Sequence, residues 1–384
     1  WTSFDEVDID MFILELSTGG PYTSVTEVAP TGAGDSYAYL DTGLTPNVLH
    51  TYRLSERLTH GAVNILVSAT ATPYPAGLPP NFLSVGPSGT YADIQSAVSA
   101  ATGVHSVVYV AGGTYDAFTI GSGAPAGLRI LPDGSGAVVI DTTSQALEIV
   151  GLPNGKSVEL SDLEIGSGGS PNDGVLVQNC LGVVVLDELV VHGGVGMAGI
   201  RVEASTRTAI QRSAVDGAPG LRLEAGAQAI IGRGSLDELE LAGPSFLRTC
   251  DVGGAPGSTV EPGSTLTQLA GIMPDVDMPE FMPLQDPFTV TFSGTPGQSL
   301  FVFATVGLVY LDAPGNPKLE MVGLANLTGS LLIVLGAIPG GGTVPLNTFL
   351  PPDGVLLGVP IVIQPITRNT ATNIYRWGNV ANII

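Results

Sequence analysis

Between residues 174 and 232 the chain repeats itself in two registers that keep step. Gly174-Val175-Leu176-Val177-Gln178, Gly199-Ile200-Arg201-Val202-Glu203 and Gly220-Leu221-Arg222-Leu223-Glu224 recur at spacings of 25 and 21. A second register, Val183–Leu186, Thr208–Gln211 and Ala229–Gly232, recurs at the same two spacings. Self-similarity at this period marks a solenoid, in which each coil buries its inward side chains only by stacking on its neighbours. Repeating strands this short leave a parallel β-helix as the architecture. Looser earlier coils run through Ser106–Val110, Leu128–Leu131, Val138–Ile140, Leu147–Val150 and Val158–Ile165. The rest of the chain carries short Val/Ile/Leu/Thr runs broken by Gly, Pro, Asn and Asp, so the fold class expected is all-β.

Charge excludes several functions. With 13 Lys+Arg against 35 Asp+Glu the net charge is -22, and phosphate neutralisation needs clustered cations, so nucleic acid is not a partner. No apolar run reaches the roughly 18 residues that cross a bilayer, because Asp312 and Pro339 cut the longest ones short. Two cysteines, Cys180 and Cys250, cannot make a disulfide framework, and by the coil spacing they lie too far apart to bond to each other.

The segment Thr90–Ala101 places Ile94, Ala97, Val98 and Ala101 at helical spacing. Behind it come Val107-Val108-Tyr109-Val110-Ala111-Gly112-Gly113-Thr114-Tyr115 and Phe118-Thr119-Ile120. This opening resembles that of the right-handed parallel β-helix family with the pectin-lyase-like fold, in which a short N-terminal helix caps the first coil. A cap is physically required, since a solenoid end exposes unpaired backbone and apolar side chains.

Pro-rich stretches at 74–80 and 271–287, the second also acidic, read as stiff linkers. They divide the chain into residues 1–73, 81–270 and 288–384. The first piece, with Asp41-Thr42-Gly43-Leu44-Thr45-Pro46-Asn47 before Thr51-Tyr52-Arg53-Leu54, resembles a fibronectin type III domain. That resemblance puts Trp1 at the family's core-Trp position and implies a partial domain, its sheet around Met11–Leu16 left with an edge for another chain. The last piece alternates over Phe288–Phe292 and Ser299–Leu311 and reads as a β-sandwich. It resembles the C-terminal modules of large secreted proteins of environmental, planctomycete-like bacteria, through Pro352–Gln364 and the small residues near Asn379. It holds only six charged residues in 97, too few to cover a free surface, so an intermolecular contact is expected of it, with docking on the β-helix of its own chain as the alternative.

A β-helix raises the prospect of a polysaccharide lyase or glycosidase, which needs two carboxylates flanking a glycosidic bond. Asp162, Glu164, Asp173, Asp187 and Glu188, with His192 in His192-Gly193-Gly194, are the residue types for it. The polygalacturonase pattern also demands an Asp-Asp pair and an Arg-x-Lys, and the chain has neither. The same residues read as coil-corner turn formers at Asp133-Gly134, Asp173-Gly174 and Asp216-Gly217. Arg201 and Arg222 beside Glu203 and Glu224 should form charge ladders up one face. Calcium is the one cofactor with candidate ligands, in Asp5, Glu6, Asp8 and Asp10 and in Asp275, Asp277 and Glu280, although neither run has the spacing of a known calcium loop. Asn326-Leu327-Thr328 is a formal glycosylation sequon.

The expectation is a non-enzymatic extracellular structural protein, a self-assembling subunit of a cell-surface filament, stalk or sheath. The alternatives are an adhesin that binds a polysaccharide and, behind it, a β-helix lyase or hydrolase. The partner expected is a second copy of the chain, as homo-oligomer or linear polymer, with Trp1, Met11, Ile13, Val309 and Val362 as interface candidates.

Overall fold

The computed structural model describes residues 8–31, 50–71, 82–102, 105–166, 170–253, 257–269, 272–278, 288–306, 308–311, 323–325, 331–348, 361–372, 374–377, 379 and 381–383. The chain forms two compact units, residues 1–79 and 80–384. Among the described residues no helix is long and apolar enough to cross a membrane.

The first unit is one antiparallel sheet of β1 (Ile9–Ser17), β2 (Thr23–Val28), β3 (His50–Leu58) and β4 (Val63–Ala71), in the order β2-β1-β3-β4. Period-two alternation sends Phe12 and Leu54 to a buried face. Glu15, Arg53 and Ser55 share the other face, where Arg53 Nε donates to Glu15 Oε2 over 2.8 Å. The strand carrying Met11 and Ile13 is interior to the sheet, and both residues are half-buried. Among the described residues the edges of this sheet are β2 and β4. Trp1 and Asp5 lie outside the described residues.

In the second unit three parallel sheets make the β-helix. Sheet A stacks Phe82–Val85, His105–Val110, Gly127–Pro132, Ser157–Ser161, Val183–Asp187, Thr208–Asp216, Gln228–Leu236, Phe246–Gly253 and Thr265–Leu269. Sheet B begins with Gly113–Asp116, Val138–Asp141, Glu164–Ile165 and Val190–His192 and merges into the long late strands of sheet A. Sheet C stacks seven strands, among them Leu147–Val150, Val175–Gln178, Ile200–Glu203, Leu221–Glu224 and Leu239–Leu241. In sheet C, Val175 pairs with Ile200 and Ile200 with Leu221, as the first repeat register requires. The second register slips by one at its first step, where Val184 rather than Val183 meets Thr208. Helix α1 (Ile94–Ala100) caps the first coil and buries Ile94, Ala97 and Val98. Its N-cap Asp93 accepts from Ser96 N at 2.7 Å, satisfying an otherwise orphaned amide.

Two columns of left-handed residues turn the corners. Asp162, Glu188, Arg212, Arg233 and Asp251 end the sheet A strand segments at φ of 47–57°, and Asn179, Ala204 and Ala225 do the same after sheet C. Each costs about 1 kcal/mol for a side chain with a Cβ. The coil-to-coil hydrogen bonds on either side hold it, as from Asp162 N to Asp187 O and from Glu188 N to Gln211 O.

The C-terminal part is a β-sandwich, with Asp275–Asp277, Phe288–Ser293 and Thr343–Thr348 in one sheet. Ser299–Val306, Leu331–Ala337, Ile361–Asn369, Ile374–Trp377 and Ala381–Ile383 form the other. Val276, Val290, Phe292, Leu300, Val302 and Ile338 form its core. The acidic Pro-rich stretch is therefore more than a linker, because residues 275–277 are an edge strand of the sandwich. The sandwich is also no separate body. Ile230 and Cys250 on the outer face of sheet A pack with Met273, Ile366, Phe301 and Phe303, and the strand Leu308–Leu311 lies against Val183–Asp187. The charge-poor C-terminal piece thus packs on the β-helix of its own chain, the alternative to the intermolecular contact expected of it. Val309 belongs to the docked strand, and Val362 to the strand Ile361–Asn369.

Candidate functional site

Where the sandwich docks, sheet A is buried on both faces. Strands 157–161 and 183–187 expose almost no side chain, although Glu159 and Asp187 point outward among them. A chain with so little charge has gathered ionisable groups here for a physical reason. The outer positions of stacked coils lie about 4.8 Å apart, close enough for opposite charges on successive strands to pair. Arg129 pairs with Glu159 one coil on, Nε to Oε1 at 3.1 Å. Arg212 binds Asp187 through both Nε and Nη2 and reaches Glu188 Oε1 at 2.9 Å. Its Nη1 donates to Asp275 Oδ1 at 3.1 Å and to the Val276 carbonyl at 3.2 Å. Arg233 takes the other oxygen of Asp275 and lies 3.7 Å from Asp251.

This cluster lines a cavity of about 330 Å³ between sheet A and the strand 275–277. Burial pushes the Asp187 carboxyl up to about 7, against the pull of the Arg212 guanidinium, and Glu188 and Glu159 add to the rise. Burial works against the charged form of Arg212, yet Asp187, Asp275 and Glu188 more than offset it and hold that pKa above its ordinary value. A second, shallower hollow of about 520 Å³ by the first coil is lined by Gly86, Gly89, Gly112, Gly113 and Tyr115 among others. It offers no charged group for chemistry.

Of the residues singled out from sequence, Asp187 and Glu188 meet at Arg212 and Glu164 lies beside His192. Asp173 is buried and accepts from the Ala198 amide of the next coil at 2.9 Å, so it ties two coils together. His192 Nδ1 lies 2.8 Å from Asp216 Oδ2, and its Nε2 lies 3.7 Å from Glu164 Oε1. The glycines after it have a packing reason, since a Cβ on Gly194 would sit 2.0 Å from the Ser170 carbonyl oxygen. Asp133 makes the expected turn, accepting from Ser135 N at 2.8 Å. The expected charge ladder on sheet C forms, with Arg201 bridging Glu203 and Glu224 and Arg222 bridging Glu224 and Glu240.

The calcium candidates are engaged with cations or apart. Asp10 accepts from Arg57 at 2.8 Å, Asp8 turns the chain into β1, Asp275 lies between two guanidinium groups, and Asp277 is exposed. Glu6, Glu280 and the sequon at Asn326 lie outside the described residues. Among the described residues no group of three or more His, Cys, Asp or Glu is placed to hold a metal ion. Neither cysteine is in a disulfide. Cys180 is in the β-helix core and Cys250 is under the sandwich.

No family model matches the chain, and no curated protein sequence matches it. The crystal structure of the pectin methylesterase from Aspergillus niger in deglycosylated form is similar over 50% of this chain and 85% of that one, at 10% identity and a TM-score of 0.21. So low a score carries no argument about activity; the β-helix is read from this chain's own parallel strand pairing.

Proposed function

We propose that this protein is a non-enzymatic, extracellular structural module, a subunit that self-associates into a surface filament, stalk or sheath. One observation carries the reading. Three of the groups that could do chemistry hold the fold: Asp173 binds a buried amide, His192 pairs with Asp216, and Asp187 with Arg212. The outer face of sheet A, which would otherwise be a surface for a chain-like substrate, is occupied by the protein's own sandwich. Self-association draws support from β4, an edge strand among the described residues, on which Val63, Ile65 and Leu66 are 47–60% exposed and which itself carries no charged residue.

Two measurements test the proposal. Incubation with a panel of neutral and acidic polysaccharides should release no reducing ends, unsaturated sugars or small alcohols. Turnover that disappears in Asp173→Asn or Asp187→Asn would overturn the non-enzymatic reading. Sedimentation velocity should show association of the full chain that Ile65→Lys reduces. A concentration-independent monomer would remove the assembly part of the proposal.

A further inference from the structure

We propose that the C-terminal sandwich is a releasable cover of sheet A, and that its docking weakens as pH rises because carboxylates outnumber guanidinium groups at the junction. Strand 127–132 brings Arg129, strand 157–161 Glu159, the corner after 183–187 Asp187 and Glu188, and the next three strands Arg212, Arg233 and Asp251. The sandwich brings Asp275 and Asp277, both at the cavity. Strand 308–311, which lies against Val183–Asp187, has Tyr310 as the one titratable residue in its sequence. At the cavity and its rim three cations thus face six carboxyl groups, and with Arg248 beside Ile230 and Arg368 on the strand of Ile366 the junction as a whole has five cations to six carboxyls.

Asp187 is the member that docking seals. It lies on the outer face of sheet A, only 3% exposed, beneath the strands of the sandwich. With the cover lifted it would face water beside Arg212 and regain an ordinary carboxyl pKa, whereas burial in the docked state raises it to about 7. The sign follows from linkage. The docked state binds the extra proton, so this contribution to docking is full only below the undocked carboxyl's pKa of about 4, declines as pH rises from there, and is lost as pH passes about 7. One proton linked in this way makes opening about tenfold more frequent at pH 8 than at pH 6. The rest of the junction is apolar side-chain packing of Ile230, Cys250, Met273, Ile366, Phe301 and Phe303, and among the described residues no β-ladder joins the sandwich to sheet A. A shift of that order therefore acts on a contact that can open locally while the coils stay stacked.

The two cysteines supply the readout. Cys250 lies under the cover and Cys180 inside the β-helix. Alkylation of the full-length protein with N-ethylmaleimide, resolved by peptide mass and referred to the urea-unfolded chain at the same pH, gives a protection factor for each thiol. Protection of Cys250 should fall about tenfold from pH 6 to 8 while that of Cys180 stays constant, and Asp187→Asn should flatten the Cys250 profile. Glu188→Gln, on an exposed side chain, should move the fall to lower pH. Equal and constant protection of both thiols, a parallel fall of both, or an unchanged Cys250 profile in both variants would each overturn the proposal.

Discussion

Leu223→Ala probes whether the coils are stacked as rigidly as their pairing implies. Leu223 is fully buried in sheet C, between Val202 of the preceding coil and Leu241 of the next. Truncation removes three carbons from the interior, about 2.4 kcal/mol of transfer free energy at about 0.8 kcal/mol per methylene. The void cannot close, because hydrogen-bonded ladders above and below hold neighbouring coils at a fixed rise. An unrelaxed void of about 60 Å³ adds about 1.4 kcal/mol at roughly 24 cal/mol per Å³. The expected loss is therefore about 4 kcal/mol. Urea denaturation followed by far-UV circular dichroism measures it, with Leu266→Ala in the half-buried last coil as the reference, where the loss should stay below about 1.5 kcal/mol. A loss at Leu223 no larger than at Leu266 would mean that the coils collapse around the void, and the stacking argument would fail.

Two further outcomes follow from the same structure. Arg212→Met leaves Asp187 buried without its guanidinium and should destabilise the protein by about 3–5 kcal/mol, more at pH 8 than at pH 6, because a carboxyl with a raised pKa is tolerated when protonated; thermal melts at the two pH values, with Arg212→Met/Asp187→Leu recovering most of the loss, check it. Asp93→Ala removes the cap of α1 and should cost about 1 kcal/mol, read as faster hydrogen exchange confined to residues 94–101.

The sequence by itself determined what local chemistry and repetition control. The spacing of Ile94, Ala97 and Val98 makes a helix because those positions share one face, and Asp93 caps it. The steps from Val175 to Ile200 to Leu221 were legible because sheet C has one wet face, so inward Val, Ile and Leu alternate with outward Arg, Glu and Gln. Sheet A lost that signal. Val183-Val184-Val185-Leu186 does not alternate because both of its faces are buried, and the register read from it slipped by one residue.

What covers that second face was decided only by tertiary structure. Arg212 and Asp275 are 63 residues apart, on elements that look in sequence like a coil corner and an acidic linker. They meet because a sheet with an apolar and ionic outer face must be covered, and the low-charge sandwich of the same chain is the nearest surface able to cover it. Asp173 and His192 looked like chemistry for the complementary reason. Stacking places a side chain of one coil beside the backbone or side chains of another, and a carboxylate that holds two coils together has the same residue type as one that acts on a substrate.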